Sequence, residues 1–249
     1  MKKTPFLVAI LFLSVVLFST SCAPKTDDNT KANVTIEVAP SFGSQAFALF
    51  TAYNYTPTQR LKLNFLKFFV SNVELVGGNN TAKVLDYALV DAGATTVTFG
   101  AAKQIEAGDY TKIRFGLGID AATNAKNPNS LPSSNPLTTS GWYWSDWGSF
   151  TFLKAEGFLD TGTPNPTEIT YHTSRDTMYR VVELPIQLSA KTGATEKISL
   201  KLDVKKLFIN NGDTLNIRNT PISQAEPTVP AKTAISIKIA NNFKNAWAN

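Results

Sequence analysis

Residues 61–76, LKLNFLKFFVSNVELV, form the longest run in the chain that reads as β-structure, and their pattern decides the architecture. Apolar side chains alternate with polar ones, but the phase slips twice. Leu61, Leu63 and Phe65 share one face, then Leu66, Phe68 and Val70, then Val73 and Leu75. A slip of one residue turns every following side chain over. A strand that keeps its apolar atoms dry through two such slips carries bulges or crosses between two sheets.

Working outward, Gly77-Gly78-Asn79-Asn80 makes a hairpin turn into Val84–Val90. Thr96–Phe99 reads as a short strand and Glu106–Asp109 as a turn. Over Tyr110–Asp120, Ile113, Phe115, Leu117 and Ile119 point one way, while Gly116 and Gly118 on the other face admit a bulky neighbour. Upstream, Val34, Ile36 and Val38 alternate until Pro40–Gly43, and residues 44–60 read as a loop with one short strand. Downstream, residues 121–140 form a long Pro/Asn/Ser loop, and Phe150–Leu159 pairs with Glu168–His172 as a hairpin. Val182, Leu184, Ile186 and Leu188 alternate around Pro185, which marks an edge strand. Ile198 to Val204 repeats that pattern, Lys205–Phe208 reads as a helical turn, and Ile235, Ile237 and Ile239 as a last strand before an amphipathic tail near Trp247. Roughly ten short strands with turns between them predict an all-β fold, an antiparallel β-sandwich of immunoglobulin-like or Greek-key type, as one domain over residues 33–249.

The N-terminus is set apart. Lys2 and Lys3 precede an apolar run, Phe6–Phe18, too short to span a bilayer, and then Ser19-Thr20-Ser21-Cys22. This resembles a lipoprotein signal peptide, residues 1–21, with Cys22 as the lipid-modified residue and 22–32 as a flexible tether. The expectation is a protein of the cell envelope, lipid-anchored to the outer membrane and either periplasmic or surface-exposed. The sole cysteine is then spent on lipidation, so no disulfide follows. Without the two leader lysines the formal charge is 24 − 2 − 19 = +3, scattered along the chain, which argues against nucleic acid as a partner.

Unusual chemistry concentrates in Gly141–Gly157, GWYWSDWGSFTFLKAEG, and in the only histidine, His172. Trp142, Trp144 and Trp147 fall within six positions. On a regular strand Phe150, Phe152, Lys154, Glu156 and Phe158 share a face, so a carboxylate stands among aromatics and needs a partner. With no thiol to spare and no nucleophile elbow, an enzyme is not expected. A carboxylate pair, Glu156 with Asp146 or Glu168, leaves glycoside hydrolysis open in principle. Imidazole and thioether suit copper, and His172 and Met178 lie six positions apart. The alternative is a metal-free envelope module that uses Trp142, Trp144 and Trp147 to hold a glycan or a protein partner.

Several motifs in order carry a resemblance: NFLKFFVSNVEL at 64–75, EAGDY at 106–110, FGLGID at 115–120, WYW at 142–144, FLKAEG at 152–157 and Tyr171-His172. They resemble the MbnP-like family of exported copper-associated proteins, from about Val34 to Phe208. The resemblance implies a β-sandwich that binds copper through histidines and through a kynurenine formed from tryptophan by a dihaem partner of the cytochrome c peroxidase type. Carried onto this chain, it implies a Cu(I) site at His172, with Met178 and an oxidised tryptophan among Trp142, Trp144 and Trp147, and Glu156 behind the histidine. The chain departs from the pattern in having one histidine, Gly148-Ser149 after the tryptophans, and Thr173-Ser174 after His172.

Overall fold

The computed structural model describes residues 30–249; the expected leader, Cys22 and most of the tether lie outside the described residues. In chain order the first strands are β1 (Lys31–Phe42), β2 (Gln45–Ala46), β3 (Ala52–Thr56), β4 (Gln59–Val76), β5 (Thr81–Asp91), β6 (Val97–Glu106) and β7 (Gly108–Leu117). A connection with α1 (Ala121–Asn124) and two 3-10 turns leads to β8 (Tyr143–Trp144). Next come β9 (Ser149–Asp160), β10 (Thr167–Ser174), β11 (Arg180–Ala190) and β12 (Thr195–Asp203). Then follow β13 (Ile209–Asn210), β14 (Asp213–Thr214), β15 (Ile222–Ser223), helix α2 (Pro230–Lys244) and β16 (Trp247–Ala248). Lys31 and Ala32, read as the end of the tether, are already part of β1, and Ala32 is buried.

The strands make a sandwich. One sheet runs β16-β12-β1-β2 with β6 also on β1; the larger runs β11-β7-β4-β9-β10-β15, with β3 and β5 on β4 and β8 on β9. Val34, Ile36 and Val38 of β1 and Ile198, Leu200 and Leu202 of β12 belong to the same core as Phe68, Val70, Phe115 and Leu153 of the larger sheet. Most ladders are antiparallel. β1 and β12 run parallel, because the chain returns to the first sheet only after crossing the second, the kind of crossover that parallel neighbours require. β11 lies at the sheet edge, where Pro185 costs no ladder bond.

β4 is the 18-residue spine and carries the expected slips. Its register breaks between Leu63 and Phe65 against β9, and between Ser71 and Glu74 against β7, where Asn72 takes φ 49°. Each break resets the face, so Leu61, Leu63, Leu66, Phe68, Val70, Val73 and Leu75 all reach the main core. Phe65 falls just past the first bulge and packs instead against a second apolar cluster, with Phe69, Ile119, Leu137, Trp142, Phe150, Phe152 and Met178. Along one side β4 pairs with β9 up to Phe68 and with β7 from Val70, while on the other side β5 runs along Lys67 to Val76 and so spans the change of partner. The second cluster packs around this handover: Gly118 N–H bonds to Phe69 O at 2.8 Å, and a Cβ on Gly118 would stand 2.4 Å from the Phe152 ring.

The expected strand at Ile235, Ile237 and Ile239 is instead α2. Pro230 pre-sets the first helical turn. The buried positions Ser236, Ile239, Ala240 and Phe243 follow helical spacing, and of the three alternating isoleucines only Ile239 lies on that stripe. Beyond the helix, Trp247 packs edge-on against Phe68 and Phe115.

Gly157 faces Leu63 at the first bulge, and a Cβ there would lie 2.0 Å from the Lys62 carbonyl oxygen. Gly157→Ala is therefore expected to cost about 2–3 kcal/mol in denaturant unfolding. Gly78→Ala, with nothing within 4 Å, is expected to change stability by less than about 0.5 kcal/mol.

Candidate functional site

The β9–β10 hairpin positions the site. Leu153, Ala155, Leu159, Ile169 and Tyr171 point into the main core, so strand alternation turns Lys154, Glu156 and His172 to the opposite face. In register Thr170 faces Glu156 and His172 faces Lys154, which makes His172 and Glu156 diagonal neighbours. Their side chains meet, Nε2 to Oε1, at 2.7 Å. The histidine backbone is fixed as well: the Ser236 hydroxyl of α2 donates to His172 O at 2.8 Å.

The charges set the tautomer. The hydrogen bond from His172 holds the Glu156 carboxyl below its ordinary range, with help from the imidazole and Lys154 charges. Burial pulls His172 below its ordinary 6.5, outweighing the pull of Glu156 in the other direction. Near neutral pH the pair is thus carboxylate and neutral imidazole. A carboxylate only accepts, so the ring proton sits on Nε2. Nδ1 is left with a bare lone pair, buried and without a hydrogen-bond partner. The Trp144 ring stands beside the imidazole, centroids 5.7 Å apart.

The segment that carries Trp144 is pinned from below. Lys154 Nζ donates to Gly141 O at 2.6 Å and lies 5.0 Å from the Trp142 ring, and burial lowers its pKa. Trp142, 4% exposed, is driven into the second cluster, edge-on to Phe69. β8 then pairs with the start of β9, and the 3-10 turn Ser145–Trp147 ends at Gly148 in the left-handed region, φ 55°, which glycine adopts without cost. Asn124 ties the preceding loop down: its Oδ1 accepts from Phe150 N–H at 2.9 Å and its Nδ2 donates to Asp176. The loop at 121–140 packs by Leu137 into the second cluster and by Asn135 on the Tyr87 hydroxyl. It contributes none of the residues that line the cleft beside the site.

That open cleft, about 350 Å³, is lined by Tyr143, Trp144, Ser145, Asp146, Trp147 and Gln224. The fold therefore gathers His172, Glu156, Trp144 and Trp147, and leaves Trp142 and Met178 in the apolar cluster. The Met178 sulfur accepts from Ser174 N–H at 3.4 Å. Among the described residues no group of three or more His, Cys, Asp or Glu converges as a metal cage. Sequence reasoning missed the Lys154 clamp and Gln224. Lys154 was legible as a face-mate of Glu156, whereas Gln224 arrives just after β15, a two-residue strand without any local pattern.

The sequence model of the MbnP family matches residues 31–228, and the chain belongs to that family. Among solved structures it is similar to MbnP from Methylosinus trichosporium, at 14% identity and TM-score 0.45, over 79% of this chain and 82% of that one. No curated protein matches it in sequence.

Both site groups have lower pKa values folded than unfolded, so the stability they contribute is complete above the higher unfolded value and is lost on acidification. The chain has one histidine, so a fall in thermal midpoint as pH drops below 6.5 is assigned to His172, with the Glu156 loss following below 4.5. In melts followed by circular dichroism, His172→Gln, which keeps a donor for Glu156, is expected to flatten the first of these falls and retain the second.

Proposed function

We propose that this chain holds and hands on copper in the cell envelope, as a binding protein and not an enzyme, with Cu(I) at Nδ1 of His172. The observation that carries the reading is the buried, unpartnered Nδ1 lone pair, whose tautomer Glu156 fixes through the far nitrogen. That is the arrangement by which a carboxylate orients a metal-binding imidazole. One imidazole does not fit a tetrahedral zinc or an octahedral hard cation, whereas a soft ion served by few ligands suits it. A further donor is needed. The Met178 sulfur would have to give up the Ser174 N–H. Trp144, next to the imidazole, would supply nitrogen and oxygen donors once opened to a kynurenine by a dihaem peroxidase-type partner. Export and anchorage through Cys22 to the outer membrane complete the proposal and rest on the N-terminal sequence.

The metal-free reading, a module for a glycan or protein partner, rests on the cleft. Trp142 takes no part in it, since its ring is packed against Phe69.

A competition titration with a Cu(I) chelator, on the chain from Ala23 onward, tests the copper reading. One equivalent is expected to bind, with affinity reduced at least about a hundredfold in His172→Ala and about tenfold or more in Glu156→Gln. Wild-type protein that does not compete above the His172→Ala background would overturn it.

A further inference from the structure

The cleft next to His172 has a chemistry of its own. Its volume, about 350 Å³, suits a small molecule. The Trp144 and Trp147 rings meet at 73° with centroids 3.8 Å apart, so they form a corner, while Tyr143 lines the cleft with its ring packed on Phe150. A flat sugar ring stacks on a level aromatic platform. Two walls at a steep angle instead surround a compact, rounded group.

The charge points the same way. Of the six lining residues only Asp146 carries a formal charge, and no Lys, Arg or His is among them. Aromatic faces are the negative part of the ring quadrupole and attract cations, most strongly when the cation sheds little hydration, as an alkylated ammonium does. The lysine of this region does not fill the place, because Lys154 is turned down onto Gly141 O and the Trp142 ring. The walls are also held in position before any ligand arrives. Tyr143 pairs with Phe150 in the ladder and packs edge-on against its ring at 5.0 Å, Trp144 pairs with Ser149, and Gly148 N–H closes the turn onto Ser145 O. Such preorganisation removes much of the ordering cost of binding.

We propose that this cleft, with Trp144 in its unoxidised indole form, is an aromatic corner for a small organic cation bearing a quaternary or alkylated ammonium group, with Trp144 and Trp147 as walls and Asp146 as the counter-charge. The inference goes beyond the copper reading and does not use the His172 lone pair.

The test is isothermal titration of copper-free protein, from Ala23 onward, with choline and tetramethylammonium. The controls are 3,3-dimethylbutanol, the neutral carbon isostere of choline, and glucose. Choline and tetramethylammonium are expected to bind, the neutral isostere at least about tenfold more weakly, and glucose not at all. Trp147→Ala, with folding checked by circular dichroism, is expected to abolish binding. Asp146→Asn, an exposed change that leaves the walls in place, is expected to weaken it about fivefold. Equal binding of the neutral isostere, an unaltered affinity in Asp146→Asn, or glucose binding in place of choline would overturn the proposal. Because copper is absent throughout, failure of the copper reading leaves this result untouched.

Discussion

β4 has to satisfy different neighbours along its length, and most of the molecule follows from how it does so. On one side it leaves β9 at Phe68 and takes up β7 at Val70. Two bulges keep its apolar side chains in the main core while the partners change. Phe69, between the two ladders, is turned to the opposite face and seeds the second cluster. Each large side chain buried there is worth about 1.5–3 kcal/mol, enough to hold the long connection from Ile119 to Trp142 across the handover. Once Trp142 is anchored, the tight turn at Ser145–Gly148 brings Trp144 over the β9–β10 hairpin. The ring beside His172 is thus a consequence of packing at the handover on β4, which β9 separates from the strand of the histidine itself.

Beneath that ring the polar arrangement is held at a cost. A buried acceptor without a partner loses about 1–3 kcal/mol of solvation, and the Nδ1 lone pair of His172 is such an acceptor. Rotating the imidazole would break the Glu156 hydrogen bond at Nε2. The fold therefore keeps one good charge-assisted bond and leaves one nitrogen ready for a ligand. The same aromatic segment also lines the cleft, where Trp144 serves in its unoxidised form.

Much of this was legible in the residues. The phase slips in 61–76 announced the bulges, Gly116 and Gly118 announced close neighbours, and a Tyr179 or Phe152 atom does stand where their Cβ would be. Glu156 was expected to need a partner, for which its face-mate Lys154 or a tryptophan N–H stood nearest in sequence, and the partner is His172 instead. The misreadings have physical causes. Ile235, Ile237 and Ile239 satisfy a period of two, but the buried stripe of α2 runs through Ser236, Ile239, Ala240, Asn242 and Phe243, and Ser236, Ala240 and Asn242 are small or polar positions that carry little hydrophobic signal. Phe65 was given to the wrong face because a bulge displaces one residue and its place cannot be read to better than that. Trp142 looked like a member of a surface trio, and only the position of Phe69 behind it explains why it turns inward. Met178 was named beside His172 from its spacing; its sulfur accepts from the Ser174 N–H, and a ligand role requires that bond to open.

The central claim is that Glu156 holds the proton of His172 on Nε2 and leaves Nδ1 free to bind. The chain has a single histidine, so nitrogen-15 NMR of protein labelled only at histidine reports one imidazole without assignment. Near neutral pH the account predicts a protonated Nε2 and an unprotonated Nδ1, with Nδ1 alone shifting when Cu(I) is added. A protonated Nδ1, or a Cu(I)-induced shift confined to Nε2, would contradict it.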